Sequence, residues 1–230
     1  NQAQNNQMFG LTLSMWIKPD EQIYDKVALF SRWNDLNNYW SLMLLENGQL
    51  QLQAKHSGIY SEINLIDNDN NFIQTDGNTW SHIALNIAAQ SINTQVVKAN
   101  VYVNGSNISG WKWFGESNSG RAITNVKNSM YFGLQRSDNA NTQFKGKIDD
   151  ISIFSNVSVS NENLAILNES HISEIYNNGY NIEDLLSYFS GSYTIRYYYK
   201  LNAGSGDATN QSSASNSTLQ LKGGATWVTE

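Results

Sequence analysis

Residues 39–55 read YWSLMLLENGQLQLQAK, and the way they alternate decides the fold. Leu50, Leu52 and Ala54 interleave with Gln49, Gln51, Gln53 and Lys55. A period of two sends one set of side chains to a buried face of a β-strand and the other set to the opposite face. Asn47-Gly48 interrupts the chain just before this run, and such a pair supplies the positive φ that a tight hairpin needs. Trp40–Leu45 and Leu50–Ala54 are therefore expected to pair as a hairpin.

The same alternation extends outward in both directions. Leu11, Leu13, Met15 and Ile17 alternate with Thr12, Ser14, Trp16 and Lys18. Further strands are expected at 27–30, 59–65, 80–87, 97–103, 130–134 and 144–154, with a second hairpin signal at Asn104-Gly105. Many short strands separated by turn signals at this spacing make a sandwich or a barrel. The predicted inter-sheet core is Leu13, Met15, Ile17, Leu50, Leu52, Ile83, Leu85, Val101, Val103, Ile151 and Ile153. A one-residue slip of register would expose the whole set.

The pattern changes after residue 156. Ser160–Asn163 is placed to cap a short helix carrying Leu164, Ile166 and Leu167. Ile172, Ile175 and Tyr176 recur at helical spacing, with Asn178-Gly179 as the stop. Asn181 opens a third helical turn through Leu185 and Leu186. Tyr193–Leu201 then reads as an aromatic strand that must pair with its own sandwich or a neighbour's, because an isolated strand is not stable in water. Residues 203–218, rich in Gly, Ser, Asn and Ala, read as a long loop. Leu219–Trp227 reads as a final strand or a linker.

Composition narrows the function. Only 15% of the 230 residues are charged and the net charge is -6, so polarity comes mainly from Asn, Ser, Gln and Thr. There is no basic stripe for phosphate, which argues against nucleic acid. No stretch approaches the ~18 apolar residues of a membrane span, so no membrane partner is expected. The absence of cysteine leaves the redox compartment open. The chain begins at Asn1, and a missing natural start is expected. Asn107, Asn156, Asn168, Asn210 and Asn216 stand in Asn-x-Ser/Thr sequons, which an Asn- and Ser-rich chain also produces by chance.

The order of these segments resembles a known family. "LTLSMWIKPD" (11–20), "ALFSRW" (28–33), "YWSLMLLENGQLQLQ" (39–53), "TWSHIALNI" (79–87) and "ANVYVNGSNISG" (99–110) follow one another as in laminin-G-like, concanavalin A-like lectin-glucanase jelly rolls. The most specific piece is "MYFGLQRSDNANTQFKGKIDDISIF" (130–154): Phe-Gly, a polar loop, then Phe-x-Gly-x-Ile-Asp-Asp and an alternating strand. The likeness covers about residues 8–180. It implies an all-β, two-sheet antiparallel jelly-roll sandwich with a few short helices near the C-terminal third. The expected divisions are a sandwich over 1–156, a short helical segment over 157–190 packed on it, and a strand–loop–strand over 191–230. The last belongs to the same domain or opens a next repeat. This tail normally precedes such a domain, and its position here resembles phage virion proteins.

The resemblance also frames the candidate sites. Glycosidases of this kind carry Glu-x-Asp-x-x-Glu on one strand, with retaining carboxylates about 5–5.5 Å apart. That triplet is absent, and the adjacent Asp149 and Asp150 should point to opposite faces, leaving Asp149 a structural role. His56, His82 and His171 lack ligand spacing, and His82, alternating with Ile83, is placed on a solvent face. No Ser/His/Asp arrangement or phosphate loop is visible, so no catalytic residue is assigned and the chain is not expected to be an enzyme. Laminin-G and pentraxin relatives bind calcium through rim loops, which here means Asp35, Asn37, Asp138 and Asn139, although only two of these are charged. Local turn bonding explains the same residues equally well. With seven Trp and twelve Tyr, flat rings for sugar are plentiful. Trp33, Asn37, Asn38, Trp111 and Trp113 are the candidate ligand residues. Trp16, Trp40 and Trp80 are read as packing, and Tyr197–Tyr199 as assembly surface. The expected function is a non-catalytic structural or adhesive module of a virion or extracellular assembly that recognises a glycan or identical subunits as a homo-oligomer. The alternative is a lectin-like domain of a larger secreted protein.

Overall fold

The computed structural model describes residues 8–20, 23, 25–65, 73–89, 97–114, 129–135, 142–158, 166–178, 195–199, 201, 208–209 and 218–219. Two antiparallel sheets face each other. The larger has seven strands in the order β12-β11-β1-β6-β7-β8, with β9 pairing β7 beside β8. Its members are β1 (Met8–Pro19), β6 (Ser81–Ala89), β7 (Val97–Val103), β8 (Ser106–Asn107), β9 (Lys112–Phe114), β11 (Gly146–Ser158) and β12 (Ile195–Tyr199). The other sheet has five strands, β10-β2-β3-β4-β5. These are β2 (Val27–Asp35), β3 (Asn38–Leu44), β4 (Leu50–His56), β5 (Ile59–Asn64) and β10 (Met130–Phe132). The jelly-roll sandwich that the family resemblance implies, and that the alternation allowed, is the observed fold.

Every residue of the predicted core lies buried in one cluster between the sheets, joined by Trp40, Phe30 and Phe114. The β3–β4 register pairs Leu42 with Leu52 and Leu44 with Leu50, as the hairpin required. Its turn is closed by Gly48 N donating to the Leu45 carbonyl at 2.9 Å, with Gly48 at φ 77°. The Asn104-Gly105 turn has positive φ at both residues (49° and 80°), the geometry of a two-residue hairpin.

Part of the outer face of the seven-stranded sheet is covered, which alternation could not foresee. The helix α1 (Glu169–Asn178), capped where Asn168 Oδ1 accepts from His171 N at 3.0 Å, lies over it. Leu167, Ile172 and Ile175 pack with Ala84, Tyr102, Phe154 and Tyr198 into a second apolar cluster. Gly105 permits the approach: a Cβ there would stand 3.1 Å from Tyr176 and 3.2 Å from Ser173 of α1. His82 is consequently buried, which corrects its placement on a solvent face. Its Nε2 lies 2.8 Å from Ser14 Oγ, and its ring packs against Trp16, which stacks on Tyr176 at 5.6 Å. The helices expected at 160–168 and 181–186 fall outside the described residues, apart from 166–168, which precede α1.

Two further expectations change. Tyr198 and Tyr199 are buried, not assembly surface, because β12 adds to the sandwich edge of its own chain: Tyr199 faces Ile151 in the core and Tyr198 faces Ser152. The β1–β11 register slips opposite Met15, where Asp150 takes a positive φ of 44°. Asp149 Oδ1 holds this bulge by accepting from Asp150 N at 2.8 Å, and it also accepts from Leu201 N at 3.3 Å. Within the stretch read as a loop lies β13 (Ala208–Thr209), which pairs antiparallel with β14 (Thr218–Leu219) at the boundary with the segment read as a final strand or linker.

Candidate functional site

Two groups of predicted ligand residues lie on different sheets. The first surrounds the β2–β3 turn. Asp35 Oδ1 accepts from Asn37 N at 2.7 Å and Asn38 Nδ2 at 3.0 Å, while Oδ2 accepts from Asn34 Nδ2 at 2.7 Å and Asn38 Nδ2 at 3.1 Å. These donors, the Asn37 amide foremost, hold the carboxyl below its ordinary range. Asn38 Oδ1 accepts from Ser57 N at 3.2 Å, tying the neighbouring Ser57-Gly58 turn to this one. Both oxygens of Asp35 and the whole Asn38 amide thus take part in turn architecture. Asp138 and Asn139 lie outside the described residues. Among the described residues no three His, Cys, Asp or Glu side chains converge.

Behind the turn, cross-strand pairing lines up Trp33, Tyr39, Lys55 and Tyr60 on the outer face of the five-stranded sheet. Trp33 and Tyr39 stack at 4.4 Å. Tyr60 donates to Glu62 Oε2 at 2.5 Å, and burial followed by that carboxylate pushes its phenol upward. Leu36, 61% exposed, projects from the turn tip.

The second group is built on β9. Strands β8 and β9 both pair with β7, but the register slips by two residues between Asn107 and Lys112. The slip falls at Gly110-Trp111, where Gly110 has φ 59° with open space around it, so the glycine is there for its conformation. Trp113 pairs with Lys98, whose neighbours Val97 and Ala99 enter the core, so Trp113 and Lys98 point outward. Trp111, two residues earlier, lies 44% exposed and Trp113 65% exposed. The Lys98 ammonium sits 4.7 Å from the centre of the Trp111 ring. Lys112 turns to the sandwich edge, where Nζ donates to the Asn64 carbonyl at 3.2 Å.

Burial separates these tryptophans from the others. Trp40 is fully buried, Trp16 stacks on Tyr176, and Trp80 carries Lys18 5.6 Å from its ring centre. The site that remains open is aromatic and amide-rich, suited to non-covalent recognition. Lys98 was not singled out by the sequence, although its outward alternation between Val97 and Ala99 was legible. Its ring partner was not, because the two-residue slip sets it. The Ser57-Gly58 turn was also missed, though its dipeptide is a turn signal.

The sequence pattern of the laminin-G-type concanavalin A-like lectin/glucanases superfamily matches residues 2–162, and the chain belongs to that superfamily. No curated protein matches the chain in sequence. Among solved structures, a native heptameric SAP-like pentraxin from Limulus polyphemus is similar at 17% identity over 78% of this chain and 80% of its own, with a TM-score of 0.42. Domain 4 of the extracellular GH43 arabinanase AbnA from Geobacillus stearothermophilus, in complex with arabinotriose, shares 20% identity over 75% of this chain and 68% of its own, TM-score 0.43. The IT-sialidase CBM40 of Ruminococcus gnavus, bound to alpha2,3 sialyllactose, shares 14% over 73% and 83%, TM-score 0.45. No helix among the described residues is long and apolar enough to cross a membrane.

Proposed function

We propose that this chain is a non-catalytic glycan-binding module displayed on an extracellular or virion-surface assembly. The carrying observation is the pair Trp111 and Trp113, two large rings left exposed on the same side of a sheet edge. A soluble domain seldom leaves such rings open without a partner, and flat aromatics pack against the C–H faces of sugars. Membership in a lectin/glucanase superfamily supports the same ligand class. The carboxylates also favour binding over hydrolysis: Asp149 holds a bulge, Asp35 a turn, and Glu62 the Tyr60 hydroxyl. Trp33 and Asn37 near the β2–β3 turn form a second, smaller contact region, with Asn38 supporting it from within. Identical subunits are the other expected partners. The division into 1–156, 157–190 and 191–230 belongs to this same proposal. A glycan array probed with wild type and Trp113→Ala tests it. The wild type is expected to retain a defined set of oligosaccharides and the variant to bind them about tenfold more weakly. Equal retention by both proteins would remove the β9 site from the account.

A further inference from the structure

Lys98 distinguishes the β9 platform from a neutral sugar site. Its side chain leaves β7 on the outward side, opposite Trp113 in the ladder, and its ammonium rests 4.7 Å from the Trp111 ring centre. A ring face attracts the cation but accepts none of its N–H donors as a carboxylate does. Among the described residues no carboxylate pairs with Lys98, whereas Lys112, paired with the core-facing Ala99, turns away to the Asn64 carbonyl and leaves Lys98 as the cation on the tryptophan side of the ladder. In a chain of net charge -6, this sets one positive charge directly beside two exposed tryptophan rings. The ring holds the ammonium in place, so little side-chain freedom is lost when an anion arrives.

We infer that the Trp111–Trp113–Lys98 platform selects a sugar bearing a carboxylate, with the ring of the sugar on tryptophan and its carboxylate on the Lys98 ammonium. This deepens the glycan-binding proposal and rests on it. Trp113 would supply contact common to all ligands, and Lys98 the preference for the acid through charge-assisted hydrogen bonds.

An acidic sugar chain and its methyl ester separate the two contributions, since they share every stereocentre and differ in charge. Titration calorimetry with oligogalacturonate and its methyl ester, and in parallel with sialyllactose and lactose, is carried out on the full chain at low and at physiological salt. In at least one pair the acid is expected to bind about three- to tenfold more tightly than its neutral counterpart, the gap narrowing as salt rises. Lys98→Gln brings the ratio to about one, and Lys98→Arg restores it. An acid-to-neutral ratio near one in the wild type, or a ratio that survives Lys98→Gln, overturns the inference even where Trp113→Ala abolishes binding of both forms. If neither member of either pair binds, or if Trp113→Ala leaves both unchanged, the β9 glycan site itself falls and the inference falls with it.

Discussion

Asn86 on β6 donates from Nδ2 to the Leu167 carbonyl at 2.7 Å, although the two residues lie 81 positions apart. The bond is one side of a closed ring. Leu167 N donates to Thr12 Oγ1 at 2.9 Å, and Thr12 Oγ1 donates to Asn86 Oδ1 at 2.6 Å. All three residues are buried. The superfamily match ends at residue 162, so this ring fastens the following helix α1 to the outer face of the sandwich.

A buried polar ring is costly to leave half made. Asn86→Ala strands the Leu167 carbonyl and is expected to lower stability by about 1–3 kcal/mol in urea unfolding. Thr12→Ala breaks the same ring, so the double variant should lose clearly less than the two single losses added together. Strict additivity would show that the three bonds act independently.

His82 ties stability to pH. Burial lowers its pKa from 6.5 to about 4, because the charged imidazole would lie in the apolar layer beneath α1. The unfolded chain takes up the proton near pH 6.5 while the folded one does not until near pH 4. Stability from this group is therefore intact above about pH 6.5 and is lost as pH falls toward 4. The full loss is on the order of 3 kcal/mol. Melting temperatures of wild type and His82→Gln between pH 7.5 and 4 should diverge, the wild type falling more steeply. Parallel curves would mean that His82 is not the group responsible.

Leu52 lies on the inner face of β4, paired with Leu42 and Ile63 and fully buried. Leu52→Ala leaves a cavity between the sheets and should cost about 2–5 kcal/mol. Chemical denaturation checks it, with Gln49→Ala, half-buried at the β3–β4 turn, as the control that should change little. A loss below about 1 kcal/mol would place Leu52 outside the tightly packed layer.

The β-sandwich and its inner core were legible in the residues alone. Side-chain alternation is a local property of an extended chain, so Leu13, Met15, Leu50, Leu52, Ile83 and Val101 name their face without knowledge of any partner. The Asn-Gly turns are local too, and the helical spacing of Ile172, Ile175 and Tyr176 marked α1. What alternation cannot say is whether the other face meets water. His82 stands on the outward face as expected, yet a helix that begins 87 residues later covers it. Tyr198 and Tyr199 are buried for the same reason, since only chain closure brings β12 to the edge of β11. The candidate site divides along the same line. The sequence pointed to Asp35, Asn38, Trp111 and Trp113 by residue type, but whether a polar group is free depends on which donors the fold brings to it. Folding commits Asp35 and Asn38 to the β2–β3 turn, and it leaves Trp111 and Trp113 outside with Lys98 beside them. Identity and spacing are written along the chain, whereas exposure and partnership arise from contacts between segments far apart in sequence.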